Sequence, residues 1–372
     1  PIINLSEYEI KAVFDWLEIC VPTKGTHQAR NIKPWLSKQN ETFKAFTSCY
    51  VGGPIRESGH IGSAFVIRFQ EPQPEGLRSL LMATLDKYCS EGAELADLPL
   101  TGLELSLDIY PAKQFTVDFK AYATRRMLMT QLLRNHAWVH EAHRDYRCRP
   151  RFTHSTAHGE KTLDLFRKPR GGLKAKLEIE ALKLKLPSSD VAILNPSLHR
   201  QPYIDATFYY GEKDKRLFYR CMDKTTDQRC PSGARKLPLK QTRSRIELSF
   251  IDEVPLDKLG PSSVDLQTYD DISARGLKGF NNLLQFGLPT FTPSVENPAV
   301  PDDDELKVFS KSGVAGLAYM QDVMTDVEAA KSGRKSRDRR ELLSTGQCMK
   351  FSHLNRRVTR AFGRLEHRWA HG

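Results

Sequence analysis

Leu103-Glu104-Leu105-Ser106-Leu107-Asp108-Ile109-Tyr110 alternates apolar and polar residues almost strictly and stops at Pro111. Successive side chains of an extended chain point to opposite faces. The period of two therefore predicts a strand with Leu103, Leu105, Leu107 and Ile109 on one face and Glu104, Ser106 and Asp108 on the other. Such a strand belongs in an antiparallel sheet that packs with one face and leaves polar groups on the other. Outward from it, strands are expected at 14–21, 45–51, 63–69, 162–167, 176–185, 206–210, 216–223 and 244–250, and helices at 77–89, 119–139 and 272–284. Pro289, Pro293, Pro298 and Pro301 then lead into Asp302-Asp303-Asp304-Glu305, a composition change that reads as a linker, and helices follow at 314–330 and 354–369. The expected class is α+β: a largely antiparallel sheet with flanking helices over 1–287, a Pro-rich acidic linker over 288–306, and a small basic helical region over 307–372.

Composition narrows the function classes. The chain has 372 residues, 40% hydrophobic and 27% charged, enough for about two folding units and ordinary for a globular protein. No run approaches the roughly 18 unbroken apolar residues of a membrane span. Pro1-Ile2-Ile3-Asn4 has no signal-peptide pattern, so a cytoplasmic location is expected. The seven cysteines are scattered without a Cys-x-x-Cys pair, which fits reduced thiols rather than a disulfide frame or zinc ribbon. Net charge is +11, and the stretch from Lys331 to Gly372 carries twelve Lys and Arg against three acidic residues, so most of the excess sits there. A polyanion is the natural partner of such a stretch.

The most informative segment runs from Asp205 to Lys224. Thr207-Phe208-Tyr209-Tyr210 forms a short strand that breaks at Gly211, turns through charged residues, and returns to end in Arg220-Cys221-Met222-Asp223-Lys224. Arg243-Ser244-Arg245-Ile246-Glu247-Leu248 begins another alternating strand, with Arg245, Glu247 and Ser249 on one face. Taken in order, these segments resemble the Thr-Ile-Tyr-x-Gly-Ser turn, the Arg-x-Tyr-x-Lys strand and the Arg-x-Glu-Leu strand of the replication initiators of rolling-circle plasmids and phages. Asp15-Trp16-Leu17 and Leu105-Ser106-Leu107-Asp108 also look like elements of those proteins, so the resemblance covers about residues 14 to 250. Glu212 stands where the family usually has Ser, and Met222 where it has an aromatic.

The resemblance implies a metal-dependent endonuclease that binds an origin, nicks one strand by tyrosine attack, keeps a 5'-phosphotyrosine and frees a 3'-OH. Its partners would be double-stranded and locally single-stranded origin DNA in a bacterial cytoplasm, with a host helicase and polymerase acting downstream; a homodimer is compatible with this. By position in the motif Tyr209 is the nucleophile and Tyr210 the runner-up, since strand neighbours face opposite sides. Mg2+ or Mn2+ would polarise the phosphate, and such hard ions take carboxylate oxygens. Asp108 and Glu104, on one face of one strand, are the first candidate ligands, with Glu247 a third. Lys224 and Arg245 are candidate fixed cations for the reacting phosphate.

Other cations suggest DNA contacts. Arg229, Arg235, Lys236, Lys240 and Arg243 lie in or beside a loop broken by Pro231, Gly233 and Pro238, and Arg356, Arg357, Arg360 and Arg364 recur at near-helical spacing. His136, His140 and His143 share one helical face, yet lack the Glu that follows the first His in zinc-protease helices, so exposed or DNA-facing histidines are the simpler reading. The main alternative is a non-catalytic DNA-binding regulator or partition-type protein. A third reading is an RNA binder stacking bases on Tyr209, Tyr210 and Phe218.

Overall fold

The computed structural model describes the chain apart from residues 1–2, 53–60, 90–91, 139–149, 157–158, 164–166, 212–216, 228–234, 252–266, 275–276, 278–279, 333–347 and 372. Its centre is a nine-stranded antiparallel sheet. The strands are β1 (Tyr8–Gln28), β2 (Ser48–Gly52), β3 (Ile61–Gln70), β4 (Leu100–Pro111), β6 (Arg151–Thr156), β7 (Gly159–Leu163), β8 (Thr207–Tyr210), β9 (Leu217–Lys224) and β12 (Arg243–Ile251), in the spatial order β2-β3-β1-β4-β12-β9-β8-β6-β7. Two small sheets accompany it: β10 (Thr226–Asp227) with β11 (Arg235–Lys236), and β13 (Gln285–Pro289) between β5 (Ala137–Trp138) and β14 (Cys348–Lys350). The helices are α1 (Ala29–Phe43), α2 (Pro74–Tyr88), α3 (Phe119–His136), α4 (Gly171–Leu184), α5 (Ser188–Val191), α6 (Asp271–Ala274), α7 (Phe280–Leu283), α8 (Asp303–Ser332) and α9 (Ser352–His371). The expected α+β class with a large antiparallel sheet is the observed one.

The period of two in β4 is used as its sequence predicts. Leu103, Leu105, Leu107 and Ile109 are fully buried, together with Ile246 and Leu248 of β12 and Cys221 of β9. Helix α3 packs over this face through Thr130, whose hydroxyl donates to the Ser244 hydroxyl (2.9 Å), and through Arg126, which pairs with Asp223 (2.5 Å). Helix α9 lays Leu354, Val358, Ala361, Phe362, Leu365 and Trp369 into the same core, with Trp369 edge-on to Phe14 of β1. Those apolar residues recur every three or four positions, so one side of the helix is apolar and the arginines fall on the rest. The stretches on either side of residues 288–306 thus share one hydrophobic core.

Strand β1 pairs with β4 from Tyr8 to Ile19 but with β3 only from Trp16 onward, which leaves one edge of its first half without a strand neighbour. Arginines of α9 occupy that edge. Arg357 donates to the Leu5 carbonyl and to Tyr8 O (2.5 Å), Arg364 to Ile10 O (2.6 Å) and Arg368 to Ala12 O (2.9 Å). Carbonyls of alternate strand residues point to one edge, and 357, 364 and 368 fall on one helical face, so two periodicities meet in register. An exposed row of unpaired backbone groups is thereby covered.

Two expectations need correction. Residues 171–184 form helix α4, where alternation predicts a strand over 176–185. The segment Lys176-Leu177-Glu178-Ile179-Glu180-Ala181-Leu182-Lys183 does alternate, but it consists almost entirely of strong helix formers, and propensity prevails where no sheet neighbour is at hand. The strand expected at 162–167 is met by β7 at 162–163, and residues 164–166 lie outside the described residues; the helix expected over 272–284 is two single turns, α6 and α7. Helix α1, with Pro34 in its second turn, has no clear sequence signal.

Candidate active site on the polar face of the sheet

The second face of the sheet gathers ionisable groups from six strands. Register puts Lys11, Asp108, Arg245 and Met222 in one cross-strand row and Val13, Ser106, Glu247, Arg220, Tyr209 and Arg151 in the next; Trp16, Glu104, Ser249 and Phe218 form a third. The candidates Glu104, Asp108, Tyr209, Lys224, Arg245 and Glu247 all lie on this face. Tyr210 points the other way, into the core, edge-on to Tyr219.

At the centre is Arg245, with a relative exposure of 1%. It forms a two-pronged pair with Asp108, its Nη2 lying 2.7 Å from Oδ2, and its Nη1 donates to Asp15 (2.6 Å) and more weakly to Glu247 (3.3 Å). Its Nε, Nη1 and Nη2 thus all meet carboxylates, although Arg245 also lines the groove described below. Arg243 adds a second cation to Asp108, at 2.8 Å. Burial alone would raise the Asp108 carboxyl, but Arg245 and Arg243 bring it below the usual carboxylate range. Asp108 is thus held as an arginine-bound anion.

The carboxylates that converge are Asp15, Glu104 and Glu247, whose oxygens lie within 4.8 Å of one another, all three buried. Glu104 accepts from the Ser249 hydroxyl, and Glu247 from Arg220 Nε at 2.5 Å. Burial pushes the Glu104 carboxyl up to about 8, with repulsion from Glu247 and Asp15 adding to it. A divalent cation among three carboxylate oxygens would reverse that balance, and an all-oxygen donor set suits a hard ion. The triad could hold a metal. Asp15 is not among the ligands that the sequence singles out, although Asp15-Trp16-Leu17 carries part of the resemblance. Its position depends on a bulge: Phe14 pairs with Leu105 and Trp16 with Glu104, so Asp15 is the extra residue that β1 inserts opposite β4. Bulges re-aim side chains in this way.

Tyr209 is half-buried and stacks on Phe218, ring centroids 5.5 Å apart and 27° from parallel. Its row neighbour Arg220 lies between it and Glu247, placing a guanidinium between the phenol and the carboxylates. Two strand spacings, about 10 Å, separate the Tyr209 and Glu247 backbones. Gly211 ends the strand at φ 87°, where a side chain would be strained, and its carbonyl accepts from Arg151 (2.7 Å). The glycine in the motif thus has a local reason.

Lys224 is partly buried and has no carboxylate within ion-pair distance among the described residues. Burial and the nearby Arg245 charge lower its pKa. It borders a groove of about 820 Å³ with Lys11, Asp108, Tyr110, Lys240 and Arg243 on its walls. Arg235, Lys236 and Lys240 are exposed beside this groove, whereas Arg243 is buried against Asp108; Arg229 lies outside the described residues. Arg356, Arg360 and Arg364 are exposed on α9, and Arg357 is half-buried. His136 ends α3 and hydrogen-bonds through its ring Nδ1 to the Gly287 carbonyl (2.8 Å), between Phe309 and Phe351, while His140 and His143 lie outside the described residues. Burial lowers the His136 pKa.

No protein-family model matches the chain, and no curated protein sequence matches it significantly. Among solved structures, the chain is similar to a rolling circle replication initiator protein from Geobacillus stearothermophilus, at 12% identity and a TM-score of 0.30, over 85% of this chain and 97% of that one. No helix among the described residues is long and apolar enough to cross a membrane.

Proposed function

We propose that the protein nicks and rejoins one strand of DNA at a replication origin, with Tyr209 as nucleophile. The observation that carries this reading is the placement of Tyr209, Arg220 and Glu247 in one cross-strand row beside the Asp15–Glu104–Glu247 carboxylates. Strand cleavage that conserves the phosphodiester energy needs an oxygen nucleophile that stays on phosphorus and can later leave, and a phenol meets both needs. In the forward step the Tyr209 oxygen bonds to phosphorus and loses its proton. The 3' oxygen departs and takes up a proton, and the reverse step rejoins the strand. Arg220, next to Tyr209 in the row, and Lys224, on the groove, are placed to meet the charge that builds on the phosphate. Asp15, Glu104 and Glu247 would hold Mg2+ or Mn2+, which would supply Lewis-acid polarisation of the phosphate. Asp108 and Arg245 fix those ligands from behind.

The test is incubation of the protein with supercoiled origin DNA and Mn2+, followed by separation of relaxed, protein-linked product. Tyr209→Phe should remove the covalent adduct and leave DNA binding in place. An adduct that persists in the variant overturns the assignment. Binding without any nicked product, in the unaltered protein, favours instead a DNA-binding regulator in which the arginine–carboxylate network only holds the sheet together.

A further inference from the structure

Helix α9 carries a cationic feature that plays no part in the nicking chemistry. Between it and β1 lies a cleft of about 280 Å³ lined by Ile10, His353, Arg356, Arg357, Arg360 and Arg364, with no carboxylate on its wall. Two of its guanidiniums are already oriented by the carbonyls of the β1 edge. A carbonyl is a neutral acceptor, so it fixes a guanidinium without cancelling its charge. Arg356 and Arg360 are exposed and form no hydrogen bond or ion pair among the described residues. Burial, and then the like charges of Arg360 and Arg364, depress the Arg357 pKa, as expected of a cationic cluster without its anion.

We propose that this cleft seats a phosphate of the duplex DNA backbone, gripping DNA independently of its sequence. The inference rests on the DNA reading for the identity of the polyanion. Three observations select among anions. Arg357 and Arg364 are tethered to the sheet edge, so they cannot extend into a groove to read bases. The outward side of α9, with His353, Arg356, Thr359, Arg360, His367 and His371, presents no Phe, Tyr or Trp ring on which unpaired bases could stack. Nor does it present a large apolar side chain of the kind that a membrane-surface helix inserts among lipids.

The experiment compares the unaltered protein with the Arg356→Gln/Arg360→Gln double variant, binding a random-sequence duplex oligonucleotide in EDTA over a series of salt concentrations. Both side chains stand in solvent, so the double variant should fold, and a thermal melt checks this; Arg360→Glu serves as a single, charge-reversing second variant. A phosphate that is no longer neutralised should lower the slope of log affinity against log salt by about 0.9, so loss of the one seated phosphate should lower it by about 0.9 in the double variant. An unchanged slope and affinity in both variants overturns the proposal. So does loss of binding to phosphatidylserine vesicles with duplex binding intact, which would make the partner a lipid surface. No nick forms in EDTA. Failure here therefore leaves the Tyr209 reading standing, and failure of the adduct test leaves this one.

Discussion

The polar face of the sheet and the outer side of α9 are both rich in charge, and they hold it in opposite ways. On the face, Asp15, Asp108, Glu247 and Arg245 satisfy one another out of contact with solvent; on the helix, Arg356 and Arg360 stand in solvent with no protein partner among the described residues. Removing charge from water costs several kcal/mol per ion, and only close, hydrogen-bonded partners offset it. Density of charge in a sequence therefore does not locate a ligand. What matters is which charges the fold leaves uncommitted: among the described residues, Lys224 at the rim of the face, and Arg356 and Arg360 of α9.

The largest expected effect lies on the face. Arg245→Met leaves three buried carboxylates without their common cation and should cost about 3–5 kcal/mol in urea unfolding. A loss below about 1 kcal/mol would mean that water reaches the face and that the contrast with α9 is false. Glu104 offers a sharper probe. Its pKa is raised from the ordinary 4.5 to about 8, so its stabilising protonated form is fully present below about 4.5 and is lost as pH rises through 8. The metal-free protein should accordingly lose stability over that window relative to Glu104→Gln, measured as the difference in Tm between the two proteins across pH. Mn2+ binding, followed by titration calorimetry, should strengthen toward pH 8 as the ion displaces this proton, and Glu104→Gln and Asp15→Asn should each weaken it. Smaller is Arg368→Ala, which removes one donor to the β1 edge and should cost about 1 kcal/mol. An effect as large as that of Arg245→Met would place the helix arginines in the same category as the buried network.

Strands β4, β8, β9 and β12 are legible in the sequence because each alternates, and alternation also assigns Glu104, Asp108, Arg245 and Glu247 to faces. How those residues divide their work is not legible. Asp108 and Glu104 sit four positions apart on one strand, yet one is clamped by two arginines and the other pressed against two acids, because their neighbours come from β1 and β12, distant in the chain. Asp15 escapes notice as a ligand because a bulge displaces it, and a bulge leaves no mark in hydrophobic periodicity. The arginines of α9 read as a DNA-binding stripe; that Arg357, Arg364 and Arg368 also reach backbone carbonyls follows from β3 beginning its pairing late, a matter of strand register. In α4 the alternation is genuine and misleading, since period two and helix-forming composition coexist there.

The comb of arginines on β1 has a bearing on synthesis. Strand β1 is translated well before α9, and the donor that covers its Tyr8 carbonyl lies 349 residues further along the chain. Until α9 has been translated, a growing chain carries a half-open strand edge able to recruit a neighbouring nascent chain on the same messenger. Closing that edge waits for α9, and a chain that stops before residue 352 should be prone to aggregate through β1.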